Sequence, residues 1–184
     1  AGAGDAFVRG AALPAWAELV VLPSATAPAS GAPAVVRLWE TQLLVAPSPV
    51  RLTHRVVQVN HASALAEIGQ TALEFNPQFE RLLLHKLVIV RGARTIDHTR
   101  TAPVRLLQRE ARLEQGVYSG VVTAAIVLPD VRAGDSLQLV YSIVGENAPQ
   151  RARYAQRALW DQPHAVAWRR ITLVAPVARR VPWR

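Results

Sequence analysis

Residues 117–145, VYSGVVTAAIVLPDVRAGDSLQLVYSIVG, hold two apolar runs either side of a polar, turn-forming centre. How that centre joins the runs decides the fold. Both runs, 117–129 and 135–145, are strand-like in composition. Between them PDVRAGD (129–135) opens on Pro129 and Asp130, which favour turn initiation. Gly134 can take the positive φ that a tight reversal often needs. The expectation from sequence is a hairpin with a short loop.

Working outward, the same texture recurs. VVRLWETQLLV (35–45) reads as a strand with Val36, Leu38 and Glu40 on one face and Val35, Arg37, Trp39 and Thr41 on the other. VRLTHRVVQVN (50–60) is rich in β-branched residues, and TALEFN (71–76) alternates with Leu73 and Phe75 inward. RLLLHKLVIVRG (81–92) is apolar on both faces, as a central strand would be, and RTID after Gly92 reads as its return. HAVAWRRITLVAP (164–176) is a further strand that Pro176 ends. No long 3.6-residue period stands out, and there is no internal repeat. The fold class is therefore all-β: an antiparallel β-sandwich of about eight to ten strands with little helix. One stretch stays ambiguous. RLLQREARLEQG (105–116) also fits a short amphipathic helix with Leu106, Leu107, Ala111 and Leu113 on one face and Gly116 as its C-cap.

The organisation follows from composition. Residues 1–34 read as an N-terminal segment ending in a Pro/Ala/Ser/Gly linker, LPSATAPASGAPA (22–34), with nothing to pack. Before it, LPAWAELVVL is short and apolar, and Trp16 is the residue expected to pin it to the body. Residues 35–176 form the sandwich, and 177–184 a basic tail leading to an expected downstream domain. The 184 residues are 51% hydrophobic, but alanine inflates that figure and buries little area per residue. The longest apolar runs fall well short of the ~20 residues a spanning helix needs. The chain opens on Ala1 with no basic and apolar leader, which suggests a chain processed or cut from a longer one.

Charge is uneven. The net charge is +8, and residues 151–184 hold eight arginines against the single acid Asp161. That strip could meet a polyanion, or it could be a solvated face.

Candidate chemistry is thin. Cysteine is absent, which removes disulfides, thiolate-zinc sites and a thiol nucleophile. No serine sits in a G-x-S-x-G elbow, and Ser119 is the most notable of them. His54, His61, His85, His98 and His164 lack the spacing that puts two imidazoles on one metal. His85, inside an apolar strand, reads as a hydrogen-bonded core or edge residue. Glu110 and Glu114 lie among Arg105, Arg109 and Arg112, whose charges suit a salt-bridge cluster rather than a proton donor. Asp130 and Asp135 flank the turn at 129–135, where Asp bonds nearby backbone N–H groups. No phosphate-binding glycine pattern and no nucleic-acid motif matches, although Trp160, Trp168 and Trp183 lie in the arginine-rich end. Neither a cofactor nor a metal is expected, and nucleic acid is disfavoured as a partner.

Taken together, four stretches resemble a known family. RLLQREARLEQGVYSG (105–120) supplies Gln108, Arg109, Glu110, Leu113, Glu114, Gln115, Gly116, Tyr118 and Gly120 of a QRE-x-x-LEQG-x-Y-x-G pattern. LPDVRAGDSLQLVYSIVGEN (128–147) supplies Leu128, Asp130, Val131, Arg132, Gly134, Asp135, Tyr141, Ile143, Gly145 and Asn147 of the strand that follows. FNPQFERLLLHKLVIVRGARTID (75–97) and WDQPHAVAWRRITLVAP (160–176) are similar to its upstream hairpin and closing strand. The pattern resembles DUF3857, the domain that immediately precedes transglutaminase-like cores in bacterial proteins. The resemblance spans about residues 35–176. After Asn147 this chain reads APQRARYAQ (148–156) where the family continues PVFGG.

The resemblance implies a β-sandwich without a catalytic group, in a protein that is periplasmic or otherwise exported. It implies a papain-like neighbour with a Cys-His-Asp triad, which this cysteine-free chain cannot itself contain. The expected function is that of a non-catalytic accessory domain that docks, orients or presents substrate. Its expected partners are the downstream core of the same polypeptide and a cell-envelope protein or polymer. The candidate interface is Arg105, Arg109, Glu110, Arg112, Glu114, Tyr118, Asp130 and Arg132. The alternative is a free-standing binding module for glycan, peptide or polyanion, with a groove beside Tyr154 and Trp160 as one place for a ligand.

Overall fold

The computed structural model describes residues 3–23, 31–108, 120–145 and 163–175. Along the chain run β1 (Phe7–Arg9), β2 (Ala34–Leu44), β3 (Val50–Val59), a 3₁₀ turn at Ala62–Ala64 with the one-turn helix α1 (Leu65–Ile68), and β4 (Gln70–Phe75). Then come β5 (Glu80–Arg91), β6 (Arg94–Asp97), β7 (Val104–Gln108), β8 (Val122–Val127), β9 (Ser136–Gly145) and β10 (Arg169–Val174). The larger sheet has the order β1-β5-β9-β3-β2-β10, with β6 sharing the β1 edge of β5. The smaller sheet is β4-β8-β7. The fold is all-β and sandwich-like, as the alternation requires.

The core lies between the sheets. Val57 and Val59 of β3, Leu82, Leu84, Leu87 and Ile89 of β5, and Leu137, Leu139 and Ile143 of β9 face one way. Leu73 and Phe75 of β4 and Val122, Ala124 and Ile126 of β8 face back, and Ile68 of α1 packs against the same cluster. Each large apolar side chain buried there contributes about 1.5–3 kcal/mol. Leu73 and Phe75 point inward as the alternation of 71–76 predicts. β5 does occupy the interior of the sheet, and Gly92 begins its two-residue return to β6 at φ 58°.

Four sequence expectations change. The stretch 117–145 is not a hairpin. β8 pairs with β4 and β7, whereas β9 pairs with β3 and β5, so residues 128–135 carry the chain from one sheet to the other. The physical reason is that both runs have an apolar face to bury. A crossover lets Val122, Ala124 and Ile126 oppose Leu137 and Leu139 across the core, whereas a hairpin would lay them side by side. Gly134 does adopt a positive φ, of 92°.

The sheet is also not purely antiparallel, since β1 runs parallel to β5 and β10 parallel to β2. Next, β2 does not alternate strictly. Its register against β3 shifts between Val36 and Leu38, so Val36 faces the main core while Leu38 faces the other side of the sheet with Val56. A bulge inserts one unpaired residue and inverts the faces beyond it. Finally, the ends of LPSATAPASGAPA do pack: Leu22 lies against a second apolar cluster and Ala34 is buried at the start of β2. The part at 24–30 lies outside the described residues.

The ambiguous stretch begins as strand over β7, and 109–119 lies outside the described residues. Gly145, which closes β9, sits at φ 107°, and a Cβ there would overlap the carbonyl oxygen of Phe79. We expect Gly145→Ala to lower stability by about 1–3 kcal/mol or more, read as a shifted urea midpoint at constant slope. An unshifted midpoint would contradict this account of the glycine.

Candidate functional site

The outer face of the larger sheet, away from the core, carries a buried polar group. Glu40 on β2 has no exposed surface, and the strand pattern places it opposite His54 on β3. A bare carboxylate in such a place would cost far more than one hydrogen bond returns. Glu40 is instead surrounded by donors. Its Oε2 accepts from His54 Nδ1 at 3.0 Å and from the backbone N–H of Val20 at 3.1 Å, and its Oε1 accepts from Gln42 Nε2 at 3.0 Å. Arg170 of β10, in register with Glu40, brings Nη1 to 3.7 Å of Oε1. His54 Nε2 lies 2.8 Å from Gln138 Nε2 on β9, which makes that ring nitrogen the acceptor and puts the ring proton on Nδ1. Burial lowers the His54 pKa, and the Glu40 hydrogen bond and charge only partly oppose this. His54 is therefore neutral at neutral pH.

Over this face runs the N-terminal segment 18–23. Val20 is buried against Leu38 and Val56, and Leu22 packs beside it. The segment is pinned by Val20 and by its own backbone, while Trp16, the residue expected to do so, is only half-buried. Beside the segment lies an open cleft of about 810 Å³, floored by Val56 and Val90 and reached by Lys86, Arg37, Gln138 and Ser136. Ser136 is buried, and its Oγ has no hydrogen-bond partner among the described residues. Lys86, the single lysine of the chain, is exposed at the edge of the cleft.

A second polar cluster holds the crossover. Asp135 is buried, and its two oxygens accept from Arg91 Nε and Nη2, both at 2.9 Å, and from the backbone N–H of Arg132 at 2.8 Å. Burial alone would raise the Asp135 pKa, but the Arg91 and Arg132 hydrogen bonds outweigh it and hold it low. Asp130, at φ 56°, pairs with Arg132 at 2.8 Å and with Arg91 at 3.3 Å, and its pKa is lowered chiefly by Arg132. These bonds tie the loop to the end of β5.

Of the residues singled out from sequence, Asp130 and Arg132 are thus brought together, joined by Asp135 and by Arg91. Arg105 is exposed on β7. Arg109, Glu110, Arg112, Glu114 and Tyr118 lie outside the described residues, as do Tyr154, Trp160 and Ser119. Of the arginine strip, Arg169 stacks on Trp39 at 4.0 Å and Arg170 faces Glu40, and the other six arginines lie outside the described residues. His85 bonds the Ala11 carbonyl and Ser142 Oγ. Among the described residues no group of three or more His, Asp or Glu is arranged to hold a metal ion, and no helix is long and apolar enough to cross a membrane. The Glu40, Gln42, His54 and Gln138 network was not singled out. Its one sequence signal was a glutamate sharing a strand face with Val36 and Leu38.

The fold and its polar clusters define a class: a two-sheet β-module in which buried charges fasten one segment of chain to another. The chain belongs to the family described as a Domain of Unknown Function with a solved structure, DUF3857, whose profile matches residues 48–184. No curated protein matches it. Among solved structures, a candidate protease from Parabacteroides distasonis ATCC 8503 is similar, with a TM-score of 0.55 at 15% identity over 62% of this chain and 23% of that one. An M1 zinc metallopeptidase from Deinococcus radiodurans aligns with a TM-score of 0.29 at 15% identity over 61% of this chain and 20% of that one, too low to argue from. The chain spans less than a quarter of either protein's length.

The buried histidine gives a pH dependence. Its folded pKa lies below the unfolded value of about 6.5, so below that pH the unfolded chain binds a proton that the folded chain refuses. Stability should fall as pH drops from 7 to 5, and the fall should flatten in His54→Gln. Urea midpoints across that range check it, and an unchanged slope in the variant would refute it. Asp130 and Asp135 add a separate loss beginning near pH ~4, since their carboxyls are held low in the fold.

Proposed function

We propose that this chain is a non-catalytic accessory module of a longer, exported, transglutaminase-like protein, and that it docks and orients the neighbouring domain. The observation that carries the reading is proportion. A similar fold makes up 23% of the Parabacteroides protein, a candidate protease, so there such a fold is one part of a larger chain. Absence of cysteine is consistent with covalent chemistry lying elsewhere. The docking face we assign includes β7, the edge of the smaller sheet. Arg105 is exposed there and Leu107 is 48% exposed beside it, while Val127 on the paired strand β8 is 45% exposed. An apolar residue left open on an edge strand, flanked by a cation, suits a protein partner. The polyanion reading is weaker, because Arg169 and Arg170 are engaged with Trp39 and Glu40.

An immunoblot of fractionated source cells against this domain tests the proposal. A band well above 20 kDa in the envelope fraction is expected, and a band near 20 kDa would end the accessory reading. Within the native polypeptide, Arg105→Glu combined with Leu107→Asp should speed proteolytic nicking between domains several-fold while the melting of each domain stays put. Tyr118→Ala should do the same. Unchanged nicking in both would remove this face from the interface.

A further inference from the structure

The contacts to residues 18–23 share one property: every hydrogen bond to the segment reaches its backbone. Gln42 clasps Glu18 from both sides, donating Nε2 to its carbonyl at 2.7 Å and accepting its N–H at 3.3 Å on Oε1. Glu40 accepts the Val20 N–H, and Arg37 donates Nη2 to the Pro23 carbonyl at 2.8 Å. All three side chains come from β2. An amide that pairs with both the N–H and the C=O of one residue imitates a neighbouring strand, so the grip is indifferent to the residues it holds. Glu18, the single polar side chain of the segment, is exposed and makes no hydrogen bond among the described residues. Val21 is 89% exposed. Selectivity rests on one apolar socket, walled by Leu38 and Val56 and filled by Val20.

This is how an extended-peptide site is built: main-chain bonds supply affinity and one pocket reads a side chain. We infer that the outer face of the larger sheet is a peptide-binding groove, that residues 18–23 are its internal occupant, and that an extended acidic, apolar-centred segment of a partner protein takes their place. The resident sequence defines the ligand. It needs a free N–H at the socket residue to meet Glu40, a small β-branched side chain there, a second apolar residue two positions on, and any residue between. Charge fits as well. Among the described residues Arg37 and Lys86 line the adjoining cleft and no carboxylate does, so an acidic segment is favoured over a basic one. The cleft leaves room for side chains larger than those of the resident. Buried Ser136 Oγ, at the same cleft and without a hydrogen-bond partner among the described residues, offers a polar contact that residues 18–23 do not use. The segment also lies apart from the main core, in its own small cluster, so leaving need not open the sandwich.

The inference predicts competition. A tethered occupant acts at an effective concentration in the millimolar range, so a free peptide binds the intact chain weakly. Labelled PAWAELVVLP, the sequence of residues 14–23, should bind the full chain carrying Val20→Asp about tenfold or more tighter than the unsubstituted chain, by fluorescence anisotropy. The same peptide N-methylated at the residue matching Val20 should not bind either chain. Equal affinities for the two chains, or full binding by the N-methylated peptide, would overturn the inference. So would a Val20→Asp chain that dimerises by exchanging segments and ignores the peptide. Should that variant fail to fold, the unsubstituted chain decides: saturating peptide should accelerate glutamyl-endopeptidase cleavage after Glu18, and an unchanged cleavage rate rejects displacement.

Discussion

A carboxylate without solvent dictates what surrounds it, and Glu40 does so for half of this molecule. With no exposed surface it requires donors from every side. They arrive from its own strand, through Gln42, and from three segments distant in sequence: His54 from β3, Val20 from the N-terminal segment and Arg170 from β10. The demand of one buried charge therefore fixes which strand lies on each side of β2. It also fixes the histidine tautomer and the path of the N-terminal segment. The apolar socket beside it could hold a valine in many ways, and Glu40 selects one of them by claiming the Val20 N–H.

The crossover cluster meets the same demand at the other end of the sheet. Asp135 is buried with two bonds from Arg91, and the loop it anchors connects the two sheets. Its backbone takes part too, since Val59 N–H donates to the Asp135 carbonyl and Gly134 N–H to the Val59 carbonyl. One buried acid thus secures the outer face and another secures the passage between sheets. Neither cluster resembles a reacting constellation. Each is saturated by chain contacts, and saturation favours rigidity over turnover.

Much of this was legible before the structure. Strand positions followed from alternation, because a period of two is imposed by the pleat wherever one face is buried, as in Leu73 and Phe75. The family followed from motifs whose parts have structural explanations: Gly145 avoids the Phe79 carbonyl, and Asp130, Arg132 and Asp135 close the crossover. Pairing was less legible. Composition tells a strand from a loop, but an eight-residue connection serves a sheet change as well as a reversal, so 128–135 read as a hairpin. The bulge at Arg37 was hidden because either face of β2 could receive Val36 and Leu38. The Glu40 network escaped because Val20 lies 20 residues before Glu40 and His54 14 residues after it, with Gln138 and Arg170 much farther along the chain. Arg91 escaped for the same reason, lying 44 residues before Asp135.

The strand order carries a cost during synthesis. β9 lies between β3 and β5, yet it is made long after both. Until residue 145 has emerged, β3 and β5 each present an open edge with an apolar face, and β2 has no β10 beside it. At roughly 5–20 residues per second the nascent chain holds that state for several seconds. Unpaired edges of this kind template pairing with other chains. In the finished sheet β9 pairs with both β3 and β5, and exposure of those edges during synthesis makes recombinant yield sensitive to temperature.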